Sequence, residues 1–490
     1  MDGRQPVLVG VGRVTHREGD APEPVELMAE AARRAGSDSG APGLLAAVQS
    51  VRVVQLLSRR YPDPGRLVAE RLGVDVAHTV LSTAGGQTPQ QLVDRACDDI
   101  AARRCDAVLV TGGESWRTRQ RLKRRGEASP WSTQPDTVQP SERFGAELVM
   151  SSPDELRLGL SDPVQAYPMV EQALRARHGR TLDEQLDIAS RLWARCSEIA
   201  VDNPHAALRR ALTPEEIRTP GPDNRIIGFP YPKLMNSNAS VDQAAALLLC
   251  SAEEARRHGV PRDRWVFLHG AGEGQDVTFL SERHDLAVSP AIAAAGRAAL
   301  DLAGIGVDDV AHVDLYSCFP SAVQVAAEAL GLPLDRDLTV TGGLTFAGGP
   351  WNAYVVGSLA AMADVLRADP DAWGLVSANG GFLTKHAVGV YSCRPPAAGT
   401  RWTSVQDELD ASVPRREAAP HHRGAATLET FTVVHDRDGA PERGWAFALT
   451  ADGRRTLAVS DDVDLLQALE RDDLLGRRVD VDDGRLLGVS

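Results

Sequence analysis

The sequence predicts an α/β protein with largely buried sheets, and three observations carry that prediction. Short apolar runs alternate with amphipathic helical stretches, the pattern of sheets covered by helices. Small-residue turns lead into helices that open on proline, at Pro89 and again at Pro320. The order strand, sharp turn, helix, strand, glycine turn occurs in Thr79–Gly113, and a related order with a longer insertion occurs in Val313–Gly381. The last point predicts a duplication, although many α/β proteins repeat this unit.

Taken in order, strands are expected at Val7–Val11, Val51–Val54, Thr79–Leu81 and Val108–Thr111. Helices at about Val25–Ala35, Gly65–Leu72 and Pro89–Arg103 lie between them, each with one apolar face. A second set places strands at Trp265–Gly270, His312–Leu315 and Gly374–Ser377, with helices at Pro290–Ala303, Pro320–Leu330 and Trp351–Arg367. Residues 115–230 differ: they are rich in charge and proline, carry Trp116, Trp131 and Trp193, and read as a helical insertion between the halves. Such insertions form lids and binding loops, or simply pack on the periphery. Ala397–His422 reads as a connector. Beyond it, alternating runs at Thr427–Val434, Gly444–Thr450 and Arg454–Val459, a helix at Asp462–Arg471, and Asp-Gly turns at 438–439 and 483–484 predict a small β-barrel.

Composition removes several functions. The chain has 490 residues and a formal charge of −14, without the basic footprint of a nucleic-acid binder. No apolar run reaches the roughly 20 residues a membrane helix needs, and the first residues lack a signal-peptide pattern. Six cysteines are scattered without Cys-x-x-Cys spacing, which suggests neither a zinc site nor a disulfide framework and fits a reducing cytoplasm.

The chemistry is expected at the turn of Ser82-Thr-Ala-Gly-Gly-Gln-Thr-Pro89. Thr88 is suited to cap the following helix, with Gln91 three residues on and Pro89 in the first turn. The chain then aims backbone N–H groups of Ala84–Thr88 at one point above the strand end, where they suit an oxyanion or an acidic ligand. A plain strand-to-helix connection is the alternative. Arg117–Arg125 is a basic cluster that reads either as a solvated face or as a phosphate contact, and Gly10-x-Gly12 is too short for a dinucleotide fingerprint.

Five segments in order then resemble the thiolase superfamily: Thr79–Glu114, Met235–Leu249, Leu315-Tyr-Ser-Cys-Phe-Pro320, Thr341–Pro350 and Ser377-Ala-Asn-Gly-Gly381. The closest likeness is to the sterol-carrier-protein-type thiolases, specifically the thiolase-like proteins with an extra C-terminal domain. The resemblance implies a duplicated five-layered α-β-α-β-α core with an inserted loop domain and an OB-like barrel. It implies the spans 1–114 with 231–250, 115–230, 251–398 and 423–490. It also places Gly86 where the family has its nucleophilic cysteine, Gly349 at the histidine of Gly-His-Pro, and Ser377 at the second cysteine. Without thiol and imidazole, ordinary thiolysis through an acyl-enzyme is not expected.

What the resemblance leaves is a coenzyme A or acyl-CoA pocket without metal. Backbone N–H groups of Gly86 and Gly380 would face a thioester oxygen, and Asn236, Asn238 and Ser240 would approach the pantetheine. Tyr316 stands where relatives carry the Asn or His that orients an oxyanion-bound water. It is either a proton or hydrogen-bond donor, as in retro-aldol relatives, or a satisfied core phenol. His386 is either a further participant or a structural hydrogen-bonding group, with Tyr354 a secondary candidate. Cys318 reads as a small buried hydrophobe. Two functions follow: carbon–carbon bond chemistry on an acyl-CoA without an acyl-cysteine, or a non-catalytic acyl-CoA carrier. The chain is expected to be a monomer or homodimer with no nucleic-acid or membrane partner.

Overall fold

The computed structural model describes residues 2–489; residues 1 and 490, at the ends of two expected spans, lie outside it. The chain opens with β1 (Pro6–Thr15), α1 (Pro24–Asp38), β2 (Ser50–Val53), α2 (Pro64–Leu72), β3 (His78–Ser82), α3 (Thr88–Ala101) and β4 (Ala107–Ser115). Then come α4 (Trp116–Arg125), β5 (Glu142–Phe144), α5 (Pro153–Arg157), α6 (Pro163–Arg177), α7 (Leu182–Asp202), α8 (Pro214–Arg218), β6 (Ile226–Gly228) and β7 (Tyr231–Pro232). Next are β8 (Asp242–Ser251), α9 (Ala252–Arg257), β9 (Phe267–Gln275), α10 (Pro290–Ala303), β10 (Val310–Asp314), α11 (Pro320–Leu330), α12 (Gly343–Phe346), α13 (Tyr354–Ala368), β11 (Trp373–Gly380) and β12 (Lys385–Ser392). Last are β13 (Arg401–Ser404), α14 (Gln406–Ser412), β14 (Arg423–His435), β15 (Pro441–Leu449), β16 (Arg455–Ser460), α15 (Val463–Arg471), β17 (Arg478–Asp482) and β18 (Arg485–Val489).

The duplication is visible in the sheets. The first has the order β1-β8-β4-β2-β3-β5 and the second β10-β11-β12-β9-β13. In the first, β1 pairs antiparallel with β8, β8 antiparallel with β4, and β4 parallel with β2. In the second, β9, β12, β11 and β10 repeat those pairings with the same polarities. Small residues repeat too. A Cβ on Gly10 or Gly12 of β1 would strike the carbonyl oxygens of Ala35 and Ala31 in α1. In β9, Gly270 and Gly272 stand in the same way against Ala299 and Ala295 of α10. Gly10-x-Gly12 therefore serves close helix-on-sheet packing.

Helices α1 and α2 cover the outer face of the first sheet, α10 covers that of the second with α11 packed beside it, and α3 and α13 lie between the two sheets, touching strands of both. This makes the five layers of the thiolase fold. The central layer is dry: Val93, Ala96, Ile100, Val355, Leu359 and Met362 are all buried in one cluster. Strand β3 is not an edge, because β5 pairs parallel to it through Val80–Glu142 and Ser82–Phe144.

Strands β14 to β18 close into a five-stranded barrel, β15-β16-β18-β17-β14 with β14 returning to β15, which is the OB-like domain expected. Its sheet continues through β14 into β6 and β7. The barrel also docks by side chains. Trp445, Phe447 and Leu457 pack with Leu158, Met169, Leu280 and Phe382 in one apolar cluster. Fully buried Arg455 binds the Glu429 carboxylate at 2.6 Å and donates to the carbonyls of Leu280, at 2.8 Å, and Arg283.

Candidate functional site

The turn between β3 and α3 meets the end of β11 across the central layer. A Cβ on Gly380 would lie 3.3 Å from the Gly86 backbone nitrogen, so two glycines from the two halves stand against each other. A side chain at either would collide. At Gly86 the obstacles are the carbonyl of Asn379 and the Tyr316 hydroxyl, the latter 2.7 Å from the first side-chain carbon. At Gly380 the obstacle is the Gln87 amide, which folds over it.

The turn's own hydrogen bonds correct one expectation. Thr88 does not cap α3; it is the first helical residue, after Gln87, and its hydroxyl turns back to donate to the Gly85 carbonyl at 2.8 Å. Proline at the next position favours this tight entry. The amides are also not all free. The Gly85 N–H donates to Asn352 Oδ1 at 3.0 Å, and the Thr88 N–H to the Gly85 carbonyl at 3.2 Å.

Tyr316 is half-buried at the end of β10, edge-on to Tyr354 with ring centroids 5.5 Å apart. Among the described residues, its hydroxyl has no hydrogen-bond partner. Burial, with Cys318 a smaller contribution, pushes its phenol well above the usual range, so it is a neutral donor at pH 7. Ser377 is buried, and its hydroxyl oxygen accepts the Tyr316 N–H at 2.9 Å, fixing the tyrosine backbone. Tyr316, Ser377, Asn379 and His386 share the wall of a void of about 10 Å³, room for one water.

His386 is 2% exposed; its Nε2 lies 3.5 Å from Asp276 Oδ2 and has no hydrogen-bond partner. Asp276 itself is held by the Ala291 N–H at 2.9 Å and the Ser289 hydroxyl at the start of α10. Cys318 is buried nearby, 3.8 Å from Asn379 Nδ2, and burial pushes its thiol up to about 12. Unpartnered buried polar atoms gather around this turn: Thr83 Oγ1, Gln87 Oε1, Asn379 Oδ1 and His386 Nε2. Buried polar atoms are normally paired with protein or ordered water, so this cluster is a place where a water or a ligand's polar groups can be taken up.

Asn236, Asn238 and Ser240 lie on a strap beside the other two loops. Ser237 Oγ donates to the Cys318 carbonyl at 2.7 Å. The Asn238 N–H donates to Leu344, and its carbonyl accepts the Gly349 N–H at 2.9 Å. Asn236 Oδ1 is buried without a partner, while Ser240 is exposed. Gly349 thus meets Asn238. A Cβ there would fit with ordinary contacts to Leu344 and the Asn238 carbonyl, none closer than 3.4 Å.

Sequence reasoning missed Tyr167 and Arg283. The Tyr167 hydroxyl, brought from α6, donates to the Gly381 carbonyl at 3.2 Å and accepts from Asn379 Nδ2 at 2.8 Å and the Leu383 N–H at 3.1 Å. Its ring stacks on Phe319 at 4.5 Å. Buried Arg283 donates to the Phe382 carbonyl and the Thr384 hydroxyl, both at 2.7 Å. Together they hold a loop in which Leu383 has φ +54°, a conformation that costs free energy and recurs at functional sites. A capping box at Asp162 and Gln165 places α6, but nothing local announces where Tyr167 points. The basic cluster of α4 is partly neutralised at home: Arg125 and Arg121 pair with Asp20, and Arg117 with Asp242.

Among the described residues, no cluster of His, Cys, Asp and Glu could hold a metal ion, and no helix is long and apolar enough to cross a membrane.

The thiolase-like protein type 1 additional C-terminal domain matches residues 404–485. A search of curated proteins found no match. A monomeric SCP2-thiolase like protein type 1 from Mycobacterium smegmatis is 35% identical, with 100% of each chain covered and a TM-score of 0.85. The Ltp2-ChsH2(DUF35) aldolase is 18% identical over 80% of this chain and 98% of its own, with a TM-score of 0.59. Human mitochondrial 3-ketoacyl-CoA thiolase in complex with CoA is 18% identical over 80% and 98%, with a TM-score of 0.58. The last two likenesses show a shared fold.

Proposed function

The chain belongs to the SCP2-thiolase-like proteins of type 1, and we propose that it binds an acyl-CoA thioester against the Gly86–Gly380 turn and works there without an acyl-cysteine. The observation that carries this reading is the gathering of unpartnered buried polar atoms around the turn. The thioester oxygen is taken by the Gly86 and Gly380 N–H groups, and the pantetheine runs along Asn236, Asn238 and Ser240. The family's cysteine is replaced by Gly86, and the Tyr316 hydroxyl stands over that position.

The reaction that suits these groups is retro-aldol cleavage of a β-hydroxyacyl-CoA, or its reverse. The β-hydroxyl gives up its proton, through the water-sized void, to His386 Nε2, where Asp276 stabilises the imidazolium. The Cα–Cβ bond breaks to leave a carbonyl product and an enolate. Amide N–H groups and the neutral Tyr316 phenol stabilise the enolate oxygen, and its α-carbon takes the proton back. The reading includes a cytoplasmic monomer acting in lipid metabolism.

The test is product analysis with β-hydroxyacyl- and β-ketoacyl-CoA panels. Release of a carbonyl product from the hydroxy series, lowered by about a hundredfold in Tyr316→Phe with binding unchanged, is the expected result. Robust thiolysis with a trapped acyl-enzyme would overturn it. A non-catalytic carrier is the second reading, favoured by the closeness of the Tyr316 hydroxyl to the point of attack. Saturable binding without product in every case would select it.

A further inference from the structure

A cavity of about 300 Å³ opens beside the turn, between α3 and the strands β9, β12 and β13. It is large enough for a small organic group. Gln87, next to Gly86, forms one wall, and His386 another. Gln87 is 5% exposed and His386 2%, and each carries a polar atom without a partner, Oε1 and Nε2. Side-chain amide oxygen and nitrogen exchange places by a simple flip, so Gln87 presents a donor as readily as an acceptor.

The charges on the walls do not cancel. Lys385 pairs in register with Gly380, is half-buried, and makes neither an ion pair nor a hydrogen bond among the described residues. Desolvation lowers its pKa, and no carboxylate offsets that effect. Arg95 lies over the Phe144 ring at 4.7 Å and likewise has no ion pair. Against them stands Glu273, which accepts from Gln91 Nε2 at 2.7 Å. Asp94 is buried and held by Gln90, and burial pushes its carboxyl well above the usual carboxylate range, which favours its neutral form. Two cations face one carboxylate, so the cavity has room for one negative charge but would oppose a dianion.

We propose that this cavity recognises a carboxylate on the far end of the acyl group, with Lys385 and Arg95 as its charge partners, so that the preferred thioesters are monoesters of dicarboxylic acids. This rests on the reading that the Gly86–Gly380 turn takes the thioester. Lys385 is placed to meet the carboxylate because it lies opposite Gly380, one residue layer from the turn.

The experiment is calorimetric titration of the full chain with succinyl-, glutaryl- and adipyl-CoA against butyryl-, valeryl- and hexanoyl-CoA. Free valerate, a monoanion, is titrated separately. The expected result is that at least one carboxylate-ended thioester binds about tenfold tighter than its neutral partner. In Lys385→Gln that ratio falls to about one while the neutral thioester binds as before. Arg95→Gln, at an exposed position, gives a smaller loss and serves if the first variant fails to fold. Equal binding of both series, or a preference that survives both substitutions, overturns the inference and leaves the thioester reading standing. Failure of every thioester, with valerate bound in a Lys385-dependent way, overturns the thioester reading and keeps the carboxylate site. Failure of all probes overturns both.

Discussion

The Tyr316 hydroxyl lies 2.7 Å from the point at which a side chain on Gly86 would begin, and the Asn379 main-chain carbonyl closes the same space from the other side. The position is thus doubly occupied, once by a movable phenol and once by backbone. That difference makes the site testable.

Replacing Gly86 with Ala or Cys should destabilise the protein by about 1–3 kcal/mol, because the added carbon must displace its neighbours. Tyr316→Phe should relieve only part of this in a double variant, since the carbonyl cannot rotate away. Gly86→Cys should not gain thiolysis. Gly349→Ala is the contrast: with no atom closer than 3.4 Å, it should leave stability unchanged or raise it by about 0.5 kcal/mol. Chemical denaturation measures all four, and a wild-type midpoint for Gly86→Ala would contradict the geometry.

Tyr167→Phe removes one hydroxyl and strands three groups, the Gly381 carbonyl, Asn379 Nδ2 and the Leu383 N–H. A loss of about 1–3 kcal/mol is expected. The more specific readout is hydrogen exchange. The Leu383 amide should exchange faster in the variant while the central strands keep their protection.

Arg455→Ala leaves the Glu429 carboxylate and the Leu280 and Arg283 carbonyls without their partner. Removing one member of a buried ion pair costs about 3–5 kcal/mol. Because Arg283 in turn holds Phe382 and Thr384, the effect should reach the turn: both the midpoint of unfolding and the affinity for acyl-CoA should fall. A variant that loses stability but binds as before would separate barrel from site.

Two histidines set an acid limb. Burial first, then Arg13, Arg34 and Arg17, lowers His205 to about 4, and burial lowers His269 to about 4. Both are neutral in the folded chain at pH values where the unfolded chain, near 6.5, already takes a proton. Their contribution is therefore fully present above about pH 6.5 and lost as pH falls toward 4. His205→Gln should flatten the slope of unfolding free energy against pH over that window. An unchanged slope would show that His205 does not titrate this way.

Much of the fold was legible because glycine, proline and apolar periodicity repeat in both halves. The helices Pro290–Ala303 and Pro320–Leu330 have the bounds read from the sequence, and the Asp-Gly turns at 438 and 483 join the strands expected of them. Strands β8 and β12 carry no strand signal of their own in the sequence. Ala244–Leu249 and Ala387–Val390 are buried on both faces, so their sequence shows an apolar run without the alternation that marks a half-exposed strand. At the site, Gly86 and Tyr316 could be named from their motifs. Their contact could not, because it depends on how β3 and β11 meet across the central helices. Tyr167 and Arg283 act through tertiary placement, and no local pattern reports that.

The run of main-chain pairing from β14 into β6 and β7 gives the barrel a second attachment that bypasses the 397–422 stretch. A protease cut in that stretch would nick the polypeptide without freeing a fragment. Evicting the barrel would mean breaking the Val434–Gly228 pairing and the Phe229 N–H bond to the Val433 carbonyl, and opening the apolar cluster around Trp445 and Phe447, rather than cutting a tether.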